Sequence, residues 1–405
     1  MTFSIVRISG IHYDGAKKVI DESVPIDQTF SNFQNNVFGL NLVYGSAFSK
    51  SFNELGYDAY EILYDLDVLQ KKWLEENNIL LSTKKLNISD RDFIVLEQLK
   101  KIKPTIVYFQ DVYGLSYPLR KKIKELCPSV KLTVLHKGYP SSFDEMDSFD
   151  LIYFSLPSIV EIYKKRGINC KLHYHAFNQN VLDGGKFSTK KNNGLHSTDI
   201  VFTGSSGFGH GAGHAKRYWM LYQLLNKKDV ICYLDEIFDS EDFMSTSQKV
   251  KKFMKYIFGK FRHLLSQNLY DSYPVLPLTY YFPKNIFQPL FGMQMYDVFN
   301  SSLANLNIHA DATGESVGNL RLFEVSGVGG CQITNYGSNI HDLFEPDKEI
   351  ITYNSFDELN EKIKYLKNNK NVAFDIGKNA QKRCLKDHTI KNRVEKLIND
   401  FIKVL

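Results

Sequence analysis

The residues with the most distinctive chemistry lie in one segment, residues 301–333. An apolar stretch predicts a strand, a Gly- and Asn-rich loop follows it, and a short predicted helix then carries Arg321 and Glu324. The N-terminus of such a helix presents unpaired N–H groups to an anion, and Gly314 and Gly318 would let a ligand approach the backbone closely. Arg321 and Glu324 share a helix face, so they could offer a cation to a diphosphate and a carboxylate to a ribose diol. The alternative is a buried ion pair that only ties this helix to its sheet.

A second glycine-rich loop, residues 204–214, follows another predicted strand. Open α/β sheets bind phosphates at such a position, and Lys216 and Arg217 at the start of the next helix could reach a diphosphate. The glycine order fits neither the P-loop pattern nor G-x-G-x-x-G, which argues against a P-loop NTPase or a typical NAD enzyme. His210 and His214 are four apart, but the glycines between them disfavour a helix and no further ligands accompany them. Metal binding by this pair is not expected.

Acid and base candidates occur where predicted strands end. Asp65 and Asp67 have the spacing of a D-x-D metal–nucleotide motif, but they fall between a predicted strand and a helix, where helix capping is the simpler interpretation. His12 and Asp14 follow the first predicted strand, and His136 ends another. Since the carboxyl ends of strands line the crevice of an open sheet, each could act as a base. A hydrogen-bonded structural histidine is the alternative for either histidine. We expect no metal or other cofactor.

Composition and charge limit the class of protein. With 405 residues the chain is longer than one ordinary core, and its 43% hydrophobic and 23% charged residues argue against disorder. The net charge of +5 is spread among acidic residues, which gives no nucleic-acid footprint. The five cysteines contain no C-x-x-C pair, which argues against a disulfide framework or structural zinc. We expect a cytoplasmic protein that is neither exported nor transmembrane.

One segment, residues 245–270, departs from this even charge. It contains six Lys or Arg and no Asp or Glu, and its apolar residues recur at helical spacing. Such a basic amphipathic helix could lie on an anionic membrane surface, on the inner face of the membrane. A helix packed on the protein core with a basic solvent face would have the same sequence pattern.

The order of predicted elements indicates the fold class. The first half alternates strands and helices, which is typical of βαβ units with a parallel sheet. Residues 183–198 read as a polar connector, after which the alternation restarts. An irregular Pro- and Tyr-rich region at 272–289 precedes the segment described first, and residues 356–368 and 371–405 predict successive helices. The sequence predicts an α/β protein with two doubly wound domains.

The C-terminal half resembles that of GT-B glycosyltransferases in two runs, LNIHADATGESVGNLRLFEVSGVGG and DHTIKNRVEKLI. The resemblance is greatest to the CgeB-like group (glycosyl transferases group 1), whose pattern is approximately LN-x-H, then N-x-R-x-FE-x-x-x-x-G, then H-T-x-x-x-R. It extends from about residue 199 to residue 405 apart from residues 239–272, which look like an insertion. The first half is compatible with the same fold.

The resemblance implies two Rossmann-like domains that face each other across a cleft. Residues 1–185 would form the acceptor-side domain and residues 198–385 the nucleotide-sugar donor domain. Residues 386–405 would form a C-terminal helix that packs back toward the N-terminal domain.

The resemblance also implies roles for residues around the N-terminus of the predicted helix that carries Arg321 and Glu324. Glu324 would bind the ribose, and Arg321 with Asn319 and Gly318 would bind the diphosphate or the sugar. Many retaining members carry two glutamates separated by seven residues, whereas Glu315 and Glu324 are separated by eight. Whether the reaction retains or inverts the anomeric configuration is left open.

The remaining donor-binding residues implied by the resemblance come from two other loops. Gly204, Ser205 and Arg217 would bind the other side of the diphosphate. Asn307 and His309 would line the donor pocket.

Together these observations predict a metal-independent glycosyltransferase that moves a sugar from a nucleotide-sugar donor to a hydroxyl of a glycan or lipid-linked acceptor, in polysaccharide biosynthesis. A nucleotide-sugar epimerase on the same fold, or a non-catalytic glycan- or coat-binding protein, are the alternatives. The partners expected are the donor, the acceptor and, through residues 245–270, an anionic membrane surface, with no nucleic acid.

Overall fold

The computed structural model describes residues 2–42, 45–81, 88–138, 143–183, 199–208, 215–236, 254, 276–309 and 314–405. His210 and His214 lie outside these residues. So do, apart from Met254, the basic segment 245–270 and the expected insertion 239–272.

The N-terminal domain is built on a parallel sheet of short apolar strands. They are β1 (Ile5–Ser9), β2 (Ala59–Leu63), β3 (Ile106–Phe109), β4 (Leu132–Lys137), β5 (Leu151–Phe154) and β6 (Cys170–Leu172). Their order across the sheet is β2-β1-β3-β4-β5-β6. Neighbouring residues of β1, such as Ile5 and Val6, belong to different hydrophobic cores. Both faces of the sheet are therefore covered, which explains why its strands read as nearly continuous apolar runs.

Helices connect these strands. They are α1 (Asp14–Ser23), α2 (Phe30–Gly39), α3 (Ala47–Glu54), α4 (Asp67–Glu76), α5 (Asp90–Ile102), α6 (Tyr117–Lys121), α7 (Ile123–Leu126) and α8 (Pro157–Lys165), with 3-10 turns at Phe143–Ser148 and Gln179–Leu182. The composition of residues 118–126 predicts one basic helix, but these residues form the pair α6 and α7. The backbone leaves helical geometry at Lys122, with φ −105° and ψ 8°.

The C-terminal domain repeats this architecture. Its strands are β7 (Ile200–Gly204), β8 (Ile231–Leu234), β9 (Ile286–Phe287), β10 (Ala304–Asn307), β11 (Gln332–Asn335) and β12 (Ile351–Tyr353). Its helices are α9 (Ala215–Asn226), α10 (Gly292–Ser301), α11 (Leu320–Gly327), α12 (Ile340–Leu343), α13 (Phe356–Asn368) and α14 (Lys370–Asp387), with a 3-10 turn at Leu278–Tyr280. The parallel strands follow the order β12-β11-β10-β7-β8-β9. This order makes the connections reverse direction between β7 and β10.

The last helix, α15 (Ile390–Val404), returns to the N-terminal domain. Its apolar residues, among them Leu397 and Phe401, pack in one core with Phe3 and Phe52. A capping box at Thr389 fixes where this helix begins. The expected packing of the C-terminal helix on the N-terminal domain is confirmed.

The two domains touch closely on one side of the cleft between them. Gly15 faces the ring of Phe291, and Gly292 lies against the carbonyl oxygen of Leu40. Gly292 has a φ of +54°, a conformation that other residues rarely adopt. Within the described residues, no helix is long and apolar enough to cross a bilayer.

Candidate active site

A cavity of about 380 Å³ opens at the carboxyl ends of the C-terminal strands and is closed on the other side by residues of the N-terminal domain, including Tyr13 and Asn41. We call it the central cavity. It brings together most of the expected donor-binding residues, which are Gly204, Ser205, Arg217, Asn307, Asn319, Arg321 and Glu324. His309 and Gly318 do not line it. It lies at the point where the strand order reverses, the usual ligand position in an open α/β sheet.

The N-terminus of α11 is fixed at the cavity wall by two asparagines. The Asn319 side chain caps the helix, because its Oδ1 accepts from the Leu322 N–H at 3.3 Å. The carboxamides of Asn307 and Asn319 also exchange hydrogen bonds, with Nδ2–Oδ1 distances of 2.9 and 2.7 Å. These bonds tie the end of β10 to the start of α11 and aim the first turn of the helix at the cavity.

His309 supports the same loop from behind the cavity. Its Nε2 accepts from the N–H groups of Gly318 and Asn319, at 3.1 and 3.4 Å, so the ring proton is on Nδ1. Nδ1 donates to Oδ1 of Asn335 at 3.0 Å. Burial lowers the pKa of His309 to about 4, which keeps the ring neutral. His309 and Gly318 thus shape the loop that precedes α11, and the Gly318 N–H is already occupied.

Arg321 and Glu324 form the ion pair that their spacing allowed. Nη1 of Arg321 lies 2.9 Å from Oε2 of Glu324, and the guanidinium stacks 4.6 Å from the ring centre of Phe299. Glu324 is 6% exposed, and burial raises its pKa although Arg321 opposes the shift. Both side chains nevertheless line the central cavity. Ion pairing and ligand binding are therefore compatible roles for this pair.

The loop after β7 forms the opposite wall. Gly204 has a φ of +147°, and its carbonyl oxygen accepts from the N–H of Asp235 at 3.1 Å, which ties this loop to the end of β8. Nη1 of Arg217 on α9 approaches the Ser205 carbonyl oxygen at 3.4 Å. The wall thus combines backbone groups with a cation.

His12 lies at the corresponding switch point of the N-terminal sheet, between the ends of β1 and β3. Its Nε2 is 3.0 Å from Oδ2 of Asp111, and this hydrogen bond is the main cause that raises the pKa of His12. Asp111 also accepts from the Tyr64 hydroxyl and the Tyr113 N–H. Asp111 is not among the residues predicted from the sequence, although it follows an apolar strand as His12 does. The pair has the geometry of a base and its orienting carboxylate.

The other acidic candidates near β1 have local roles in this structure. Asp65 accepts from the N–H groups of Ile11 and His12, at 2.8 and 3.0 Å, and pairs with Lys17. The capping prediction for it is wrong, because α4 begins after Leu66 without a side-chain cap. Asp67 lies in the first turn of α4 and Asp14 in that of α1. Asp65 instead holds the loop that carries His12.

His136 belongs to a separate buried group. Its ring lies 5.1 Å from that of His173 and 5.4 Å from that of His175, and its Nε2 donates to the His173 carbonyl oxygen at 3.0 Å. Burial, with His175 nearby, lowers the pKa of His136 to about 3. The three rings line a small cavity of about 70 Å³ that shares two lining residues, Leu320 and Glu324, with the central cavity. The role of His136 as a base stays a prediction.

Comparison with known proteins places this geometry in a fold class. The sequence model of a family described as "Glycosyl transferase-like" matches residues 255–399. Anabaena HepE, solved in complex with UDP-glucose, superposes with a TM-score of 0.57 at 12% identity, covering 100% of both chains. The chain has the GT-B fold.

Other GT-B structures agree. AviGT4, a glycosyltransferase of avilamycin A biosynthesis, gives a TM-score of 0.53 at 8% identity over 99% of this chain and 97% of its own. Sucrose-phosphate synthase from Thermosynechococcus elongatus gives 0.52 at 8% identity over 99% of both chains. No curated protein sequence matches the chain. The closer resemblance to the CgeB-like group stays a prediction.

Proposed function

We propose that this protein is a glycosyltransferase that binds a nucleotide-sugar donor in the central cavity and transfers the sugar to a hydroxyl of a glycan or lipid-linked acceptor. The observation that carries the proposal is the cavity itself. Its volume of about 380 Å³ is within the range of small-molecule sites. A helix N-terminus, an arginine from each of α9 and α11, and a buried carboxylate converge on it.

The wall chemistry suits a nucleoside diphosphate. The Leu320 and Arg321 N–H groups, in the first turn of α11, have no partner within the helix and would bind phosphate oxygens. Arg217 would neutralise the diphosphate from the opposite wall, and Glu324 would accept hydrogen bonds from the ribose hydroxyls. These positive groups would stabilise the departing nucleoside diphosphate, so the reaction is proposed to need no divalent cation.

The acceptor hydroxyl would bind at the N-terminal side, next to His12, whose chain neighbour Tyr13 lines the central cavity. With Nε2 held by Asp111, Nδ1 is the atom that can take the hydroxyl proton. The acceptor oxygen then bonds to the anomeric carbon as the bond from that carbon to the diphosphate breaks. Asp111 would stabilise the imidazolium that forms.

Nucleotide binding tests the donor site. A nucleotide or nucleotide sugar at 100 times its dissociation constant should stabilise the protein by about 2.7 kcal/mol, which a thermal-shift screen detects. Glu324→Ala should weaken that binding by about 1.5–3 kcal/mol, the range for charged hydrogen bonds. The control is Glu97→Ala, which removes another i,i+3 ion pair, with Lys100, outside the cavity. Equal nucleotide affinity in a folded Glu324→Ala protein would remove Glu324 from the site.

Donor hydrolysis separates an enzyme from a binding protein. A transferase without acceptor should slowly release nucleoside diphosphate from its donor, whereas a non-catalytic protein releases none. His12→Ala should abolish transfer while nucleotide affinity stays unchanged. Unchanged transfer in that variant would exclude His12 as the base.

A further inference from the structure

The central cavity extends well beyond the phosphate-binding walls. The strand order β10-β7-β8-β9 places the loops that follow these strands in a row along the sheet edge. The α11 N-terminus and Gly204 occupy the β10 and β7 positions. Asp235 follows β8, and the segment from Pro289 to Phe291 follows β9, and all of these line the same cavity. A ligand with its diphosphate at the switch point would therefore extend one end toward Asp235.

The chemistry changes along this row. Around Asp235 the wall is formed by flat or apolar side chains, namely Tyr233, Pro289 and Phe291. Phe291 also lies against Tyr13 of the N-terminal domain, with ring centres 6.1 Å apart. An aromatic, planar group is the natural occupant of such a space, since its faces can stack on these rings. In a nucleotide sugar this group is the base.

Asp235 is the charged side chain at that end of the cavity. Its backbone is fixed by the hydrogen bond to the Gly204 carbonyl oxygen, and its side chain is exposed to the cavity. Burial raises the pKa of Tyr13, and the charges of Arg321, Glu324 and Asp235 also act on it, so Asp235 lies near Tyr13. In the described part of the chain, no hydrogen bond to its carboxylate is observed. The carboxylate is thus available to a ligand, and an ionised carboxylate only accepts hydrogen bonds.

We infer that Asp235 reads the nucleobase of the donor and selects guanine. This inference rests on the proposed function. Guanine presents two adjacent donors, N1–H and the 2-amino group, which match the two oxygens of a carboxylate. Uracil presents one N–H between two carbonyls, and adenine and cytosine present an amino group next to a ring acceptor. In each of these three bases, an acceptor atom beside the donor would face one oxygen of the Asp235 carboxylate, and the two lone pairs would repel.

Isothermal titration with nucleoside diphosphates tests the inference, with GDP, IDP, XDP and UDP as probes. IDP differs from GDP only by lacking the 2-amino group, so wild-type protein should bind GDP at least about tenfold more tightly than IDP. GDP should also bind more tightly than UDP.

Asp235→Asn should reverse the preference. A carboxamide offers one acceptor and one donor, which match N1–H and the C2 carbonyl of xanthine, so this variant should bind XDP more tightly than GDP. Asp342→Asn, on the exposed surface of α12, is the control and should leave all four affinities unchanged.

The outcomes separate the two proposals. If UDP binds more tightly than GDP, or if Asp235→Asn keeps the wild-type ratio of GDP to IDP affinity, the base assignment is overturned while the donor site stands. If no nucleoside diphosphate binds the wild type, the proposed function fails, and the base assignment fails with it.

Discussion

Because the ring of His309 is uncharged in the folded protein, the free energy of unfolding depends on pH. One substitution should remove this part of the pH dependence. An unperturbed histidine has a pKa of 6.5, and burial lowers that of His309 to about 4. At a pH between these values, the His309 side chain is protonated in the unfolded chain but stays neutral in the folded protein. His309 therefore contributes its full stability above pH 6.5 and loses it as the pH falls toward 4. From pH 7.5 to 5.5 this loss amounts to about 1.3 kcal/mol of unfolding free energy.

His309→Gln isolates this contribution. The glutamine oxygen can accept from the Gly318 N–H where Nε2 does now, but the side chain does not titrate. Losing the bond to Asn335 should destabilise the variant by about 1–2 kcal/mol at pH 7.5. At pH 5.5 the difference from wild type should shrink by about 1.3 kcal/mol, because only the wild type pays the protonation penalty.

Urea unfolding at both pH values measures the two differences. The control is His341→Gln, which removes a histidine of α12 whose side chain is 55% exposed. A wild type and a His309→Gln variant that lose equal stability between pH 7.5 and 5.5 would refute the assignment of a buried, neutral His309. Nucleotide binding measured on the same samples would show whether the loop before α11 must be held by His309 for the site to form.

Three further predictions concern packing, metals and membranes. Gly327→Ala should destabilise the protein by about 1–3 kcal/mol in urea unfolding, because a methyl group there meets the buried ring of Phe177. Gly39→Ala, at an open position of α2, should be neutral or stabilising by up to about 1 kcal/mol, and equal effects would contradict the packing argument. Transfer activity should persist in EDTA, and loss of turnover that manganese or magnesium restores would show that the reaction needs a cation. The basic segment 245–270 should sediment the protein with anionic liposomes at low salt. A variant in which four lysines of the segment are changed to glutamine should stay in the supernatant; these are Lys251, Lys252, Lys255 and Lys260. If the segment packs on the core, the wild type would stay in the supernatant as well.

Elements governed by local signals could be predicted from the sequence. The helix expected at 356–368 has those bounds in the structure, since Ser355 caps it and its apolar residues keep helical spacing. The break within residues 118–126 could not be predicted, because their helical composition continues through Lys122 whereas the backbone leaves helical geometry at that residue. Most residues of the central cavity could be located because they follow strands of one sheet, and such loops meet at one edge.

Residues that act through distant partners could not be assigned from local patterns. Asp65 precedes a helix, so a local rule gave it a capping role, whereas the pairing of β1 with β2 brings it to the Ile11 and His12 amides. His309 looked like a pocket residue, but the fold turns its ring toward Asn335 and the loop before α11. Asp111 comes within hydrogen-bond distance of His12 only because β3 pairs with β1.

The return of α15 to the N-terminal domain also bears on how the chain is made. Phe3 and Phe52 are translated before the C-terminal domain, whereas the helix face that covers them, with Leu397 and Phe401, is translated after it. Until then the nascent N-terminal domain exposes an apolar surface beside a sheet that is otherwise able to form. The N-terminal domain can thus be completed only after the C-terminal domain has been translated. A chaperone that shields this surface during synthesis should raise the yield of active protein, and a circular permutant that begins with α15 should need it less.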